Sequence, residues 1–300
     1  MGRRGKRSYQ YQVVDVFTEV PFEGNQLAVF PDAGDLSDDE MQMLARELNL
    51  SESTFVSPPK EPQHAARVRI FTPAAEMPFA GHPTIGTSYV LVALRRVSET
   101  ATEFVLEENV GPISIRLERR DPFLAWLTTP PIRFAETYDA AGCAEALGLA
   151  AGDLLGENYP AQVVSAGNPF LFVAFRDKAA VDRADLDVRA LERIAPGFGG
   201  NGIFFFAPTT AGVYARMFAP MSGIREDPAT GSATGPLGAY LAHYGLIENR
   251  DGTRFVNEQG TKMKRRSYLH GILRVKDGHL QSVEVGGSAV KVIDATVTLD

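Results

Sequence analysis

Apolar and polar positions along the chain spell out short strands set around a few helices. Tyr11, Val13, Val14, Val16 and Phe17 make a β-rich run, and Gly24-Asn25 leads into a second one ending at Phe30, so the chain opens with a predicted hairpin. From Leu36 to Leu48 the spacing becomes helical. Met41, Leu44, Ala45 and Leu48 share a face, Ser37 stands at the N-cap, Glu40 sits at the capping-box distance, and the helix should stop near Asn49. Ser51 to Val56 returns to strand, with Glu52 as a charge inside an otherwise β-favouring run.

Arg67 to Phe71 reads as another strand, and a helix beginning around Pro83 and continuing through Val90, Leu91 and Leu94 is apolar on nearly every side. Such a helix belongs inside something, and strands flank it in sequence: Phe104 to Leu106, Pro112 to Leu117 and Leu124 to Thr128. Thr129-Pro-Pro131 is a stiff break and the predicted domain boundary. Beyond it come a short helix (Ala140 to Leu147), a strand pair turning at Gly167-Asn168, a helix from Leu186 to Ile194 and a buried strand from Gly202 to Ala207. The chain closes on a strand meander from Leu273 to Leu299, with turns expected at Asp277-Gly278 and Gly286-Gly287.

The two halves repeat. Arg69-Ile-Phe-Thr-Pro73 matches Arg216-Met-Phe-Ala-Pro220, Gly81 to Leu91 matches Gly231 to Leu241, and Gly24-Asn25 matches Gly167-Asn168. The offsets drift from 143 (Gly24 to Gly167) through 147 (Arg69 to Arg216) to 150 (Gly81 to Gly231), as small insertions would produce in two similarly built domains.

Composition narrows the function. A net charge of -7 over 300 residues argues against a nucleic-acid or anionic-membrane surface and favours a small-molecule partner. No apolar run reaches the length of a membrane span, and the basic start Gly2 to Arg7 has no apolar stretch behind it, so it reads as a solvated tail of a cytoplasmic protein. The lone Cys143 excludes an internal disulfide and any two-thiol mechanism. His64, His82, His243, His270 and His279 lack metal-ligand spacing, and no Walker lysine, nucleophile elbow or H-E-x-x-H is present. Gly197-Phe-Gly-Gly-Asn-Gly202 fits a dinucleotide pattern by letter only, because it precedes a strand and opens no helix. Neither metal nor organic cofactor is expected.

Gly81-His82 and Gly231-Ser232 put glycine and small polar residues at two predicted helix starts, where free N–H groups and the helix dipole attract an anion. One such loop is ordinary capping; two at matching places of a repeat point to a shared site for a carboxylate-bearing substrate. Glu52 is the sharpest acid/base candidate if its strand faces a dry interdomain cleft, with Glu76 as a rival. Asp227, ahead of the second helix start, is equally placed for a turn or for chemistry.

Asp15-Val-Phe-Thr18, Phe22-Glu-Gly-Asn25, Ser51-Glu-Ser-Thr-Phe55, Glu76-Met-Pro-Phe-Ala-Gly-His-Pro-Thr84, Glu226-Asp-Pro-Ala-Thr-Gly-Ser-Ala233, Gln259-Gly260 and Val285-Gly-Gly287 together resemble the phenazine-biosynthesis isomerase (PhzF-like) family, related in fold to diaminopimelate epimerase. The resemblance implies an α+β protein of two pseudo-repeated domains, each a β-barrel-like sheet around a central helix. They would span 8–128, completed by a C-terminal strand over 288–300, and 129–287. It further implies a cofactor-free active site in the cleft and a homodimer. Glu52 would be the general acid/base, His82 and Asp227 would assist proton movement, and Gly81, Gly231 and Ser232 would hold the substrate. The expected reaction moves a proton on a small unsaturated carboxylic acid such as a dihydro-hydroxyanthranilate. The alternatives are a non-catalytic binding module on the same fold and an epimerase that uses no cysteine. One departure is Met263-Lys-Arg-Arg266 after Gln259-Gly260, where the family often has Met-Gly-Arg-Pro.

Overall fold

A computed structural model of the chain describes residues 6–196 and 202–299. The chain divides into two compact units, Met1–Leu127 with Gly286–Asp300, and Thr128–Val285. In unit 1 the order is β1 (Arg7–Val16), β2 (Asn25–Phe30), α1 (Asp38–Leu48), β3 (Glu52–Ser57), β4 (Ala66–Phe71), β5 (Glu76–Met77), α2 (Gly81–Ala93), β6 (Glu103–Glu108), β7 (Gly111–Glu118) and β8 (Leu124–Thr128). Unit 2 follows with β9 (Arg133–Tyr138), α3 (Ala140–Ala146), β10 (Ala161–Ala166), β11 (Asn168–Ala174), α4 (Lys178–Arg183), α5 (Val188–Ile194), β12 (Ile203–Thr209), β13 (Gly212–Phe218), α6 (Gly231–His243), β14 (Arg254–Gln259), β15 (Ser267–Lys276) and β16 (His279–Gly287). The last strand, β17 (Ala289–Leu299), returns to unit 1 and pairs with β1 along its whole length.

The repeat reaches the hydrogen-bond ladders. In unit 1, β1 to β2 is antiparallel, β2 to β3 parallel, β3 to β4 antiparallel, β4 to β6 parallel and β6 to β7 antiparallel. In unit 2, β10 to β11, β11 to β12, β12 to β13, β13 to β14 and β14 to β15 follow the same alternation. Mixed ladders of this kind need residues that pack on both faces, which is why β2 and β12 read as apolar runs and not as alternations.

On one face of the unit 1 sheet, Phe30, Phe55 and Phe71 pack with Met41, Leu44 and Ala45 of α1. α1 has the predicted capping box: Ser37 accepts from the Glu40 N–H, Glu40 accepts from the Ser37 N–H, and Asn49 closes the helix in the left-handed conformation. The other face holds α2, of whose 13 residues ten are buried. Gly86 is the contact point, since a Cβ there would meet Leu27 and Val16 side chains at 2.6 and 2.7 Å. Its inward hydroxyls are satisfied: Thr87 donates to Thr54 of β3, and Ser88 to the carbonyl of Thr84. Unit 2 mirrors this. α3, α4 and α5 cover Val173, Phe175, Phe205 and Ala207, while α6 packs Tyr240 against Phe172 and Phe206 on the opposite face. Each sheet thus wraps a central, all-round apolar helix, the arrangement that the hydrophobicity of these helices dictates.

Several elements escaped the sequence pattern. β9 is almost wholly exposed, and α4 is too short to show a period. β14 turns Asn257 and Gln259 inward, so its buried positions look polar, and β15 begins at Ser267, before the predicted meander. The turn expected at Gly286-Gly287 is not one: both residues lie inside β16, and the chain breaks at Ser288, whose carbonyl accepts from the Phe17 N–H. Of the glycine-rich stretch Gly197–Gly202, the first five residues lie outside the described ones, as does most of the basic start.

Candidate functional site

Glu52 opens β3 beside Leu27, and His82 lies in the first turn of α2, so sheet and central helix bring the two together. His82 Nδ1 is 3.3 Å from Glu52 Oε2, and their side chains are 5% and 16% exposed. The other ring nitrogen, Nε2, is 3.3 Å from the Gln26 carbonyl. A carbonyl only accepts, so Nε2 carries the hydrogen and Nδ1 of a neutral ring is an acceptor facing the carboxyl. Burial lowers the His82 pKa to about 4, so the imidazole is neutral at ordinary pH. The Glu52 carboxyl thus lies beside an unprotonated ring nitrogen in a buried setting.

Glu76, the rival base, is excluded by its surroundings. Arg69 grips both of its oxygens at 2.7 Å, Asn109 donates to it at 2.7 Å, and its pKa is held down chiefly by the Arg69 hydrogen bonds. A carboxylate so engaged is a poor proton acceptor.

The two helix starts share a further feature. Neither Ala80 nor Thr230, the N-cap residues of α2 and α6, caps its helix with a side chain, and neither first turn contains an acidic residue. In unit 2, Asp227 is 8% exposed and accepts from the Thr230 hydroxyl at 2.6 Å. Gln259 braces this loop: its amide donates to the Asp227 carbonyl and to Thr230 Oγ1, and its oxygen accepts from the Thr230 N–H. Gly260 follows at φ 74, where a Cβ would stand 2.6 Å from the Pro228 oxygen and 2.3 Å from that of Arg265. Gln259-Gly260 therefore shapes the loop that carries Asp227, a role unassigned from the sequence. Ser232, half-buried, occupies the second position of α6.

Ladder register aligns the units residue by residue. Ser53 pairs with Phe71 as Ile203 pairs with Phe218, so Glu52 corresponds to Gly202. His82 corresponds to Ser232, and Met77 to Asp227, by the same 150-residue step as Gly81 to Gly231. The Arg69–Glu76 pair recurs as Arg216–Glu226, bidentate at 2.9 Å. What differs between otherwise equal units is the set of groups able to move protons, and unit 1 alone has the Glu–His pair.

Elsewhere the options are fewer. Cys143 is buried in the unit 2 core, where desolvation pushes its thiol pKa up to about 12, so it is unreactive. Among the described residues no cluster of His, Cys, Asp and Glu is placed to hold a metal, and no helix is long and apolar enough to cross a membrane. A cavity of about 370 Å³ in unit 1 is lined by Pro31, Ser57, Pro59, Leu91 and Arg96, beyond the C-terminal end of α2 and away from Glu52 and His82.

Comparison with known proteins agrees with this architecture. Residues 14–295 match the model of the phenazine biosynthesis-like protein family. An uncharacterised isomerase of Mesorhizobium japonicum is 37% identical, with 95% of this chain and 97% of that one covered. Trans-2,3-dihydro-3-hydroxyanthranilate isomerase of Pseudomonas aeruginosa is 38% identical over 93% of this chain and 96% of its own. The crystal structure of a PhzF-family phenazine biosynthesis protein from Bacillus anthracis shares the fold, with a TM-score of 0.88 at 24% identity over 97% of this chain and 99% of that one. The chain belongs to the phenazine biosynthesis-like (PhzF) family of isomerases.

Proposed function

We propose that the protein is a cofactor-independent isomerase that shifts a proton within a small unsaturated carboxylic acid of the dihydro-hydroxyanthranilate kind, with Glu52 as acid/base. The observation that carries this reading is the Glu52–His82 pair, with Oε2 3.3 Å from Nδ1 in a setting mostly closed to solvent. With His82 neutral beside it, Glu52 acts as a carboxylate that takes a proton from a substrate carbon. The double bond then moves along the acid, and the protonated Glu52 returns a proton to a second carbon. The formula is unchanged, and no electrons are gained or lost. The relative from Pseudomonas aeruginosa, named for the isomerisation of trans-2,3-dihydro-3-hydroxyanthranilate, supplies the substrate class.

In this reading each uncapped helix start, Gly81 in unit 1 and Gly231 with Ser232 in unit 2, is an anion-binding group for a substrate carboxylate, through backbone N–H groups and the positive end of its helix dipole. Asp227, fixed by Thr230 and the Gln259 brace, is a second titratable group for the substrate's polar end. A cytoplasmic homodimer belongs to the same proposal and is checked by sedimentation of the purified chain.

The test is turnover of trans-2,3-dihydro-3-hydroxyanthranilate in deuterated water by purified, chelator-treated protein. The expected product has its double bond shifted and carries solvent deuterium at the newly saturated carbon. Deuterium appearing instead at a stereocentre of unshifted substrate indicates an epimerase, and binding with no exchange at all indicates a non-catalytic module. For the anion site, Ser232→Phe should raise the KM for the carboxylate substrate at least tenfold, about the effect of losing one charge-assisted hydrogen bond. Unchanged affinity in that variant would place the carboxylate elsewhere.

A further inference from the structure

Glu108, the last residue of β6, is 5% exposed and reaches Thr84, the fourth residue of α2 and two beyond His82. Thr84 Oγ1 lies 2.7 Å from the Ala80 carbonyl and 2.6 Å from Glu108 Oε1. A hydroxyl has one hydrogen, and the Ala80 carbonyl has none to give. If Thr84 donates to Ala80, as a helical threonine bonds back to the carbonyl four residues earlier, the 2.6 Å contact needs a hydrogen from the carboxyl. If Thr84 donates to the carboxyl instead, two oxygens face each other at 2.7 Å with nothing between them. Glu108 Oε2, also buried, has no hydrogen-bond partner among the described residues, a position that an ionised carboxylate tolerates badly.

Unit 2 shows what the position requires. Arg67 pairs with Glu107 as Tyr214 pairs with Glu258, so Glu108 corresponds to Gln259. Thr234, the counterpart of Thr84, donates to the Thr230 carbonyl and accepts from the Asn257 amide. Two neutral amides, Asn257 and Gln259, serve the start of α6; in unit 1 the corresponding residues are Leu106 and Glu108, and only Glu108 can supply the donor.

We propose that Glu108 is a protonated, neutral carboxylic acid that positions the start of α2, donating through Thr84 to Ala80, and that its ionisation at alkaline pH weakens anion binding at that helix start.

Burial is the first cause that raises the Glu108 pKa, to about 8, in agreement with this assignment. The adjacent Glu107 shows the opposite environment: N–H groups of Lys60 and Glu61 and the His64 ring hold its pKa down to about 2. Charged groups on the neighbouring elements are already engaged. On α2, His82 is neutral; on β4, Arg67 donates to Asn109 and Arg69 to Glu76 and Asp38; Glu76 is the carboxylate of β5; on β7, Arg116 lies over the Trp126 ring and within 4.0 Å of Glu118. None of them is hydrogen-bonded to Glu108.

The sign of the pH effect follows. The unfolded chain releases this proton in the ordinary carboxyl range and the folded chain keeps it to about pH 8, so the contribution is complete at acid pH, is lost as pH rises and is gone above about 8. E108Q keeps a donor at every pH and gives unit 1 the residue that unit 2 has. Across that window the unfolding constant of wild type, relative to E108Q, should rise about tenfold per pH unit and then level off. The infrared difference spectrum of wild type minus E108Q at neutral pH should contain a protonated-carboxyl C=O band. E108A, which has no donor, should be less stable than E108Q throughout. Parallel unfolding curves together with no protonated-carboxyl band would overturn the assignment.

The effect on binding rests on the proposed isomerase reading: the KM for the carboxylate substrate should climb as pH passes 8 in wild type but not in E108Q. A KM profile that climbs alike in both proteins refutes the positioning role. If wild type does not turn the substrate over, it is the functional reading that fails, and the spectra and unfolding curves still decide the state of Glu108.

Discussion

Glu52→Gln should lower turnover by about 10²–10⁴-fold, the usual worth of one general acid/base, while leaving substrate affinity within a few-fold of wild type. The variant is conservative for a reason visible in the structure. His82 Nε2 is committed to the Gln26 carbonyl, so Nδ1 accepts, and a glutamine amide at position 52 brings a donor to that side. Shape and polarity survive, and only the transferable proton is lost. In deuterated water the wild type should label the product carbon and the glutamine variant should not. Wild-type turnover and labelling in Glu52→Gln would make Glu52 structural and leave Asp227 as the next candidate, because Glu76 is locked by Arg69.

The fold was largely legible because it is written twice. A helix apolar on all sides, flanked by strands and repeated with matching glycine-rich entries, has few solutions other than two sheets each wrapped around its own helix, and the ladders repeat with the same sense in both units. Glu52 stood out as a charge in a β-favouring run. Its partner atoms did not, because a tautomer set by the Gln26 carbonyl depends on how β2 and α2 meet, which no spacing encodes. Glu76 and Glu52 looked alike as letters. Only the guanidinium of Arg69, placed opposite Glu76 by the β4 to β5 pairing, separates them. The interest of Glu108 was hidden differently: the repeat offset grows by one more residue between α6 and β14, so the match of Glu103 to Glu108 with Arg254 to Gln259 shows only when the strands are aligned by register.

The largest effect on stability is expected at Arg216. Register makes Arg216 and Arg69 counterparts, each holding a glutamate ahead of a central helix, but their surroundings differ. Arg69 and Glu76 are 17% and 27% exposed, and the other partner of Arg69, Asp38, is 82% exposed. Arg216 and Glu226 are 9% and 15% exposed; Nη1 of Arg216 also donates to the carbonyls of Val181 and Ala184 at 3.0 and 2.8 Å, and its guanidinium lies 4.7 Å from the Phe218 ring centre. Removing it strands a largely buried carboxylate and takes the side-chain donor from the carbonyls of Val181 and Ala184. Arg216→Met should therefore cost about 3–5 kcal/mol, the range for breaking one side of a buried ion pair. Arg69→Met, whose partners can be rehydrated, should cost about 1–2 kcal/mol. Adding Glu226→Gln to Arg216→Met should recover part of the loss, since the stranded charge goes with it. Urea unfolding of the three variants and wild type measures all of this. Equal costs at Arg69 and Arg216, or no recovery in the double variant, would mean that burial of the Arg216–Glu226 pair is not what sets its energy.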